Sequence, residues 1–344
     1  MLKHLLVDEN KTPRLYNEEP KVVGAGQVRV KTLYGAPKHG TEITVHFHGS
    51  PFATHHYDEE MHLFVKKEEQ ESMGLAKLGN MWVGEITEVA SDVIGFEQGE
   101  IVATYGHLAQ EHVVDAGDLL KVPDGTDWKA VVCYDPMQFA IGGLRDANMR
   151  IGDAVLISGL GAIGQMAAQA AVLAGASQVF VSDPIDIRRR IALENGAHKA
   201  FDPTKGDMGL EIRALTENRG VDVVIETSAN YKAMEQGLRA LAYRGTMALV
   251  GWHNECRIPF TLGDEGHFNQ QTMVFSRAES DPNRDHPNWD FARIRRESWR
   301  LVCSGIIRCD NIVFPVVSFD ECDKAYKKYV IDQPEDSIKM GVEF

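Results

Sequence analysis

The stretch that most restricts what this chain can fold into is AVLISGLGAIGQMAAQAAVLAGASQVFVSD, from Ala154 to Asp183. A short apolar run, Ala154–Ser158, leads into Gly159-Leu160-Gly161-Ala162-Ile163-Gly164. An alanine-rich segment with helical spacing follows, then a second apolar run, Gln178–Ser182, closed by Asp183. Two more runs of this kind, Asp222–Glu226 and Thr246–Gly251, come later. Apolar, β-branched strands alternating with helices predict a parallel sheet covered on both faces, an α/β doubly wound (Rossmann) arrangement. Each residue of the glycine turn has a task there. Gly159 permits the tight bend, Gly161 has no Cβ to obstruct a diphosphate, and Gly164 lets helix approach strand. Ala162 and Ile163 open a helix whose free N–H groups and positive end suit that diphosphate. Asp183 can accept both ribose hydroxyls of an adenosine and would repel a 2′-phosphate, which favours NAD over NADP. Arg188 is a candidate to lie over the adenine or to pair with a phosphate. A packing turn alone accounts for the glycines but not for the acid.

A chain of 344 residues has room for about two domains of ~150 residues. Before Pro123 it is mostly β, with strands expected at Gln27–Leu33, Ile43–His48, Met81–Val89, Glu100–Thr104 and Glu111–Val114. Residues 49–73 are polar and lack periodicity, which predicts a surface excursion or lid. Asp127–Leu144 and Gly164–Ala174 carry helical spacing, and Val316–Phe344 is expected to return to the first domain. With 36 basic and 50 acidic side chains, a formal charge of −14 argues against nucleic acid or a membrane as partner. No apolar run approaches the ~18 residues of a membrane span. The early charges of MLKHLLVDEN do not suit a signal peptide. Cys133, Cys256, Cys303, Cys309 and Cys322 form no C-x-x-C pair, so the expectation is a cytoplasmic protein with reduced thiols and no Cys₄ zinc site.

Further motifs surround this core. They are Gly79-Asn80-Met81-Trp82-Val83-Gly84-Glu85-Ile86, Gly99-Glu100-Ile101-Val102, Tyr134-Asp135-Pro136, DVVIETSAN and RGTMALVG within 222–251, and Pro334–Lys339. Together they resemble the medium-chain dehydrogenase/reductase superfamily, in its zinc-type alcohol and polyol dehydrogenase branch, over nearly the whole length. The resemblance implies a discontinuous, mostly β GroES-like substrate domain (1–126 and 308–344) and a Rossmann NAD-binding domain (127–307). It also implies a substrate held in the cleft against the nicotinamide, and pairing through edge strands into a homodimer or homotetramer. Thr227 and Gly251 join the cofactor-binding candidates.

The reaction centre departs from that family. His39-Gly40-Thr41-Glu42 stands where zinc members have C-G-T/S-D, Asn80 replaces the His of G-H-E, Met81 its Glu, and Asp135 the Glu before proline. His39 and Asp135 retain ligand chemistry, whereas a neutral amide suits zinc poorly. An intact zinc site would need a recruited ligand, from Glu42 or one of His46, His48, His55 and His56. The sequence therefore favours proton chemistry by side chains and leaves metal content open. On this reading His39 or Asp135 takes the hydroxyl proton, Thr41 contacts or relays it, and Asn80 orients the substrate oxygen; Glu42 completes the candidate catalytic set. The plainer alternatives are a core histidine at 39, a turn cap at 41, and a helix N-cap at Asp135 ahead of Pro136. His55 and His56 would then be solvated surface residues. His46 and His48 share a face if ITVHFH is a strand. Between His267 and Trp289, polar residues including Arg277 and Asn283-Arg284-Asp285-His286-Pro287 are either ligand-lining or an ordinary surface loop. The function expected is an NAD(H)-dependent oxidoreductase acting on a secondary alcohol or ketone of a sugar, polyol or cyclitol. The rivals are a zinc-free NADPH-dependent ketone or alkene reductase and a non-catalytic NAD-binding relative.

Overall fold

In QVRVKTLYGA alternate side chains from Val28 to Thr32 are buried, and this period of two makes Gln27–Ala36 a strand with one face on a core. The computed structural model describes residues 1–68, 75–254, 256, 258–277, 280–281 and 283–344, which divide into two units. The first comprises Met1–Val132 with Val313–Phe344, and the second Cys133–Ile312.

The first unit's opening leg carries β1 (Leu2–Val7), β2 (Pro13–Glu18), β3 (Gln27–Ala36), β4 (His55–Asp58), β5 (Leu63–Lys66), β6 (Ala76–Lys77), β7 (Met81–Val89), β8 (Ile101–Tyr105), β9 (Glu111–Asp115) and β10 (Leu120–Lys121). One expectation fails here. ITVHFH is not a strand: His39–Glu42 is α-helical and Ile43–His48 continues as a wider helical turn. Its β-branched residues suggested a strand, but Ile43 and Phe47, four apart, pack together on the core of Leu5, Leu78, Tyr326 and Met340. His46 and His48 therefore share no strand face. Within the excursion after residue 48, β4 and β5 form an antiparallel hairpin with exposed or half-buried side chains. Its remaining part, residues 69–73, lies outside the described residues.

In the second unit β11 (Ala154–Ser158), β12 (Gln178–Ser182), β13 (Lys199–Phe201), β14 (Val221–Glu226), β15 (Leu241–Leu249) and β16 (Thr272–Phe275) form one parallel sheet in the order β13-β12-β11-β14-β15-β16. The order reverses between β11 and β14, and open sheets of this kind bind ligands outside the strand carboxyl ends at that reversal. Leu156, Phe180, Val224 and Met247 meet Ile212, Met234 and Leu238 from the helices in its core. The segment from His267 is thus partly the sixth strand rather than a loop. Arg284 donates to the Asp146 carbonyl and Asp285 pairs with Arg145, so that stretch docks on the helix Tyr134–Asp146. Arg277 is exposed, and Ala278, Glu279 and Pro282 lie outside the described residues.

The return leg adds β17 (Val313–Ser318) and β18 (Lys339–Glu343) to the first unit, where β18 runs antiparallel to β3. The resulting sheet has the order β10-β8-β7-β3-β18-β17, with β9 also on β3. Among the described residues no helix is long and apolar enough to cross a membrane.

Candidate functional site

At the switch point of the second unit, Gly159 follows β11 with φ +88°, a left-handed conformation that glycine adopts without strain. Its amide donates to the Ser182 carbonyl at 2.8 Å, and its own carbonyl accepts from Thr227 Oγ1 at 2.8 Å. Gly164, one turn into the helix Ala162–Leu173, leaves no room for a side chain: an added Cβ would lie 1.9 Å from the Gly159 oxygen. At Gly161 an added Cβ would meet nothing within 4 Å, so this is the open side of the bend. Ala162 and Ile163 place their N–H groups in the helix's first turn, toward which no intrahelical acceptor points.

Asp183 is buried beyond the end of β12. Its Oδ2 accepts from Leu160 N–H and its Oδ1 from Ile185 N–H, both at 2.8 Å. Arg188 Nη1 stands 3.9 Å from Oδ2. The carboxylate thus holds the glycine bend to the next crossover and still has lone pairs to offer. Gln165, fully buried, donates to the Leu160 and Arg188 carbonyls and ties the same two segments together.

Sequence reasoning passed over Glu226, the last residue of β14, although an acid closing the apolar run DVVI was the available signal. It is fully buried. Oε1 accepts from the Ser228 amide at 2.9 Å and from the Ser228 hydroxyl, and Oε2 from the Ala229 amide at 3.2 Å. His253 Nε2 lies 3.0 Å from Oε2. Gly251, just past β15, packs so closely that a Cβ would sit 2.5 Å from the Ala229 nitrogen.

In the first unit β3 ends in the turn that carries His39. Lys339 Nζ donates to the Pro37 carbonyl at 3.1 Å, and the Met340 amide donates to His39 Nε2 at 3.1 Å. That amide bond leaves the proton of a neutral ring on Nδ1. Glu42 is buried, with Oε1 accepting from the Lys38 and Gly79 amides at 2.9 and 3.1 Å and Oε2 from the Tyr326 hydroxyl at 2.6 Å. It therefore pins the residues just before His39 and Asn80 rather than offering itself as a metal ligand. Asn80 bonds through its backbone to Ala36 and Gly106, while its side-chain Nδ2 is buried without a partner among the described residues. Thr41 is exposed. Asp135 is buried in the second unit. Cys133 takes the N-cap position, so Asp135 lies inside the first turn of its helix. No group of three or more His, Cys, Asp or Glu among the described residues is arranged to hold a metal ion. With Glu42 occupied and an amide at 80, the donor set does not fit a family zinc site.

A histidine cluster stands apart in the same unit. His4 Nδ1 and His107 Nε2 are 2.8 Å apart, His4 Nε2 lies 3.1 Å from Glu18, and His112 stacks on Trp82 at 4.5 Å. Burial pushes His107 down to about 3, His112 well below its ordinary value, and His4 down as well. The unfolded chain takes up these protons near pH 6.5, while the folded chain does not. Their contribution to stability is therefore complete above that pH and is lost as the pH falls. Each histidine still neutral in the fold should remove about 1.4 kcal/mol per pH unit between 6.5 and 5. Thermal melts should show a smaller loss for His107→Gln than for wild type, and equal losses would refute the assignment.

A family model for zinc-binding dehydrogenases matches residues 162–288. D-guloside 3-dehydrogenase of Escherichia coli (strain K12) is 42% identical over 350 residues, covering 100% of both chains. The crystal structure of 2R,3R-butanediol dehydrogenase from Bacillus subtilis superposes with a TM-score of 0.79 at 19% identity over 100% of both chains. Galactitol-1-phosphate dehydrogenase from Escherichia coli gives 0.76 at 18% identity, covering 99% of this chain and 100% of that one. The chain belongs to the medium-chain dehydrogenase/reductase superfamily. Its first unit is the family's GroES-like β domain and its second the Rossmann domain.

Proposed function

We propose that this protein is a nicotinamide-dependent oxidoreductase that moves a hydride between the cofactor and a secondary carbinol of a sugar, glycoside or polyol. The preferred cofactor is NAD, and side chains stand in for zinc. The observation that carries this reading is the bend at Gly159–Gly164, closed tight at Gly164 and open at Gly161, at the sheet's switch point. The full-length likeness to a D-guloside 3-dehydrogenase supports a ring hydroxyl as the group oxidised.

The amides of Gly161 to Ile163 hold the diphosphate, and Asp183 holds the adenosine ribose. Thr227 and Gly251 shape the neighbouring loops, and Arg188 covers the adenine side. The nicotinamide, when bound, accepts or returns the hydride. In the first unit, Asn80 Nδ2 and His39 Nδ1 are the donors to a substrate oxygen; in the second, Asp135 is the candidate proton acceptor. Thr41, being exposed, contacts substrate rather than buried chemistry. Glu42 keeps His39 and Asn80 in register. Zinc supplies several kcal/mol of charge stabilisation where it is used. Two donors to a developing oxyanion, at about 1.5–3 kcal/mol each, make up much of that, and an acidic ring carbinol needs less. Copies of the chain pair along the exposed edge of β16, where Phe275 is 83% exposed.

The test is fluorescence titration with NADH and NADPH, alongside turnover on a panel of glycosides and polyols. NADH should bind at least tenfold more tightly, and Asp183→Asn should move the ratio about tenfold toward NADPH, equivalent to about 1.4 kcal/mol. Tighter binding of NADPH by wild type would overturn the NAD assignment. Failure to turn over any member of the panel would overturn the substrate class.

A further inference from the structure

The Glu226–His253 pair takes no part in the chemistry above, yet its geometry favours one charge state. Glu226 accepts hydrogen bonds on both of its carboxyl oxygens. His253 Nδ1 meets the Gly251 carbonyl at 2.9 Å, while Nε2 lies 3.0 Å from the carboxylate as a close charge contact outside hydrogen-bonding geometry. A neutral imidazole has one N–H; with it on Nδ1 the Gly251 carbonyl is satisfied and Nε2 carries no charge to offset the carboxylate 3.0 Å away. A second proton, on Nε2, turns that charge contact from repulsion into attraction, so the buried pair favours an imidazolium.

The pair also joins the two loops that flank the glycine bend. Glu226 orders Ser228, against which an added Gly159 Cβ would lie at 2.8 Å. The Glu226 carbonyl accepts from the Val250 and Gly251 amides. Protonated His253 closes the ring of contacts from Gly251 back to Glu226.

We propose that His253 is a positioning residue, held as a buried imidazolium that locks the loops after β14 and β15 and makes dinucleotide binding depend on its protonation. This rests on the cofactor reading given above. Burial alone would lower the affinity of His253 for its proton, but the Glu226 carboxylate and the Gly251 carbonyl outweigh it and raise the group above its ordinary value. Among the described residues the titratable groups facing it are Glu226, from β14, and Tyr231, from the helix Tyr231–Ala240. The Tyr231 ring stands edge-on at 5.4 Å and its hydroxyl donates to the Asn254 carbonyl. Because the group is raised in the fold, the lock is complete below its unfolded value near 6.5 and is lost as pH rises through the raised one.

The experiment is NADH titration of the full-length protein from pH 6 to 9, with ring-nitrogen NMR of His253 assigned against H253Q. Wild type should weaken about tenfold across a single-proton step. H253Q should show no step, and E226Q should move the step to lower pH; a merely structural role would produce neither change. Thermal melts at each pH check that every variant is folded, and the wild-type NMR needs no variant to fold. A doubly protonated ring at pH 6 supports the assignment. A ring already neutral at that pH, or NADH binding with the same step in H253Q, would overturn this inference alone. Wild-type protein that binds no nicotinamide dinucleotide at any pH would overturn the cofactor reading and this inference with it.

Discussion

Gly164→Ala is expected to lose dinucleotide binding altogether and to destabilise the second unit by about 3 kcal/mol, the upper end for forced overpacking. The new methyl would lie 1.9 Å from the Gly159 oxygen, a backbone atom that also accepts from Thr227 and cannot simply rotate aside. The helix must therefore move off the strand, carrying its amides away from the bend. Gly161→Ala provides the contrast. Its methyl would meet no atom of the protein, and the backbone there, at φ −68°, is open to any residue. Stability should stay within about 1 kcal/mol of wild type, while NADH affinity falls tenfold or more because the methyl fills the space of the diphosphate. Calorimetry paired with NADH titration measures both effects. Wild-type affinity in Gly161→Ala would mean that the bend holds no diphosphate.

His39→Gln should lower kcat by about 10–100-fold, the size of losing one donor worth about 1.5–3 kcal/mol to a developing oxyanion. Glutamine can still accept from the Met340 amide through its Oε1, so the turn after β3 should persist and the melting temperature should change little. Asp135→Asn should cost more, about 10²–10⁴-fold, the range for losing a general base. Both should be read with and without prior chelation, together with elemental analysis of the protein. Turnover within fivefold of wild type for His39→Gln would remove that residue from the reaction. One zinc per chain, with activity lost on chelation and restored by metal, would replace the side-chain account.

The parts legible in the sequence were those governed by local rules. The glycines had to lie between two apolar strands, and Met81–Val89, Ala154–Ser158 and Gln178–Ser182 form as their patterns predict. Ile43–His48 misled because β-branched residues in alternation satisfy a strand pattern, while the contact that decides the matter, Ile43 and Phe47 on Tyr326, spans nearly the whole chain. The role of Glu42 was hidden for the same reason, since one of its partners is 284 residues away. His253 carried no local signal at all. Its meaning comes from a carboxylate on a neighbouring strand and a carbonyl two residues back.

The pairing of β18 with β3 has a consequence for how the molecule is made. Val342 and Glu343 lie opposite Gly35 and Tyr34, and the amide that fixes His39 belongs to Met340. The ribosome has therefore delivered every strand of the Rossmann sheet while the first unit still has an unfilled seam beside β3. For that interval the nascent first unit exposes a sheet edge and an unfastened histidine turn, so truncating the last few residues should harm substrate handling well before it harms the nucleotide fold.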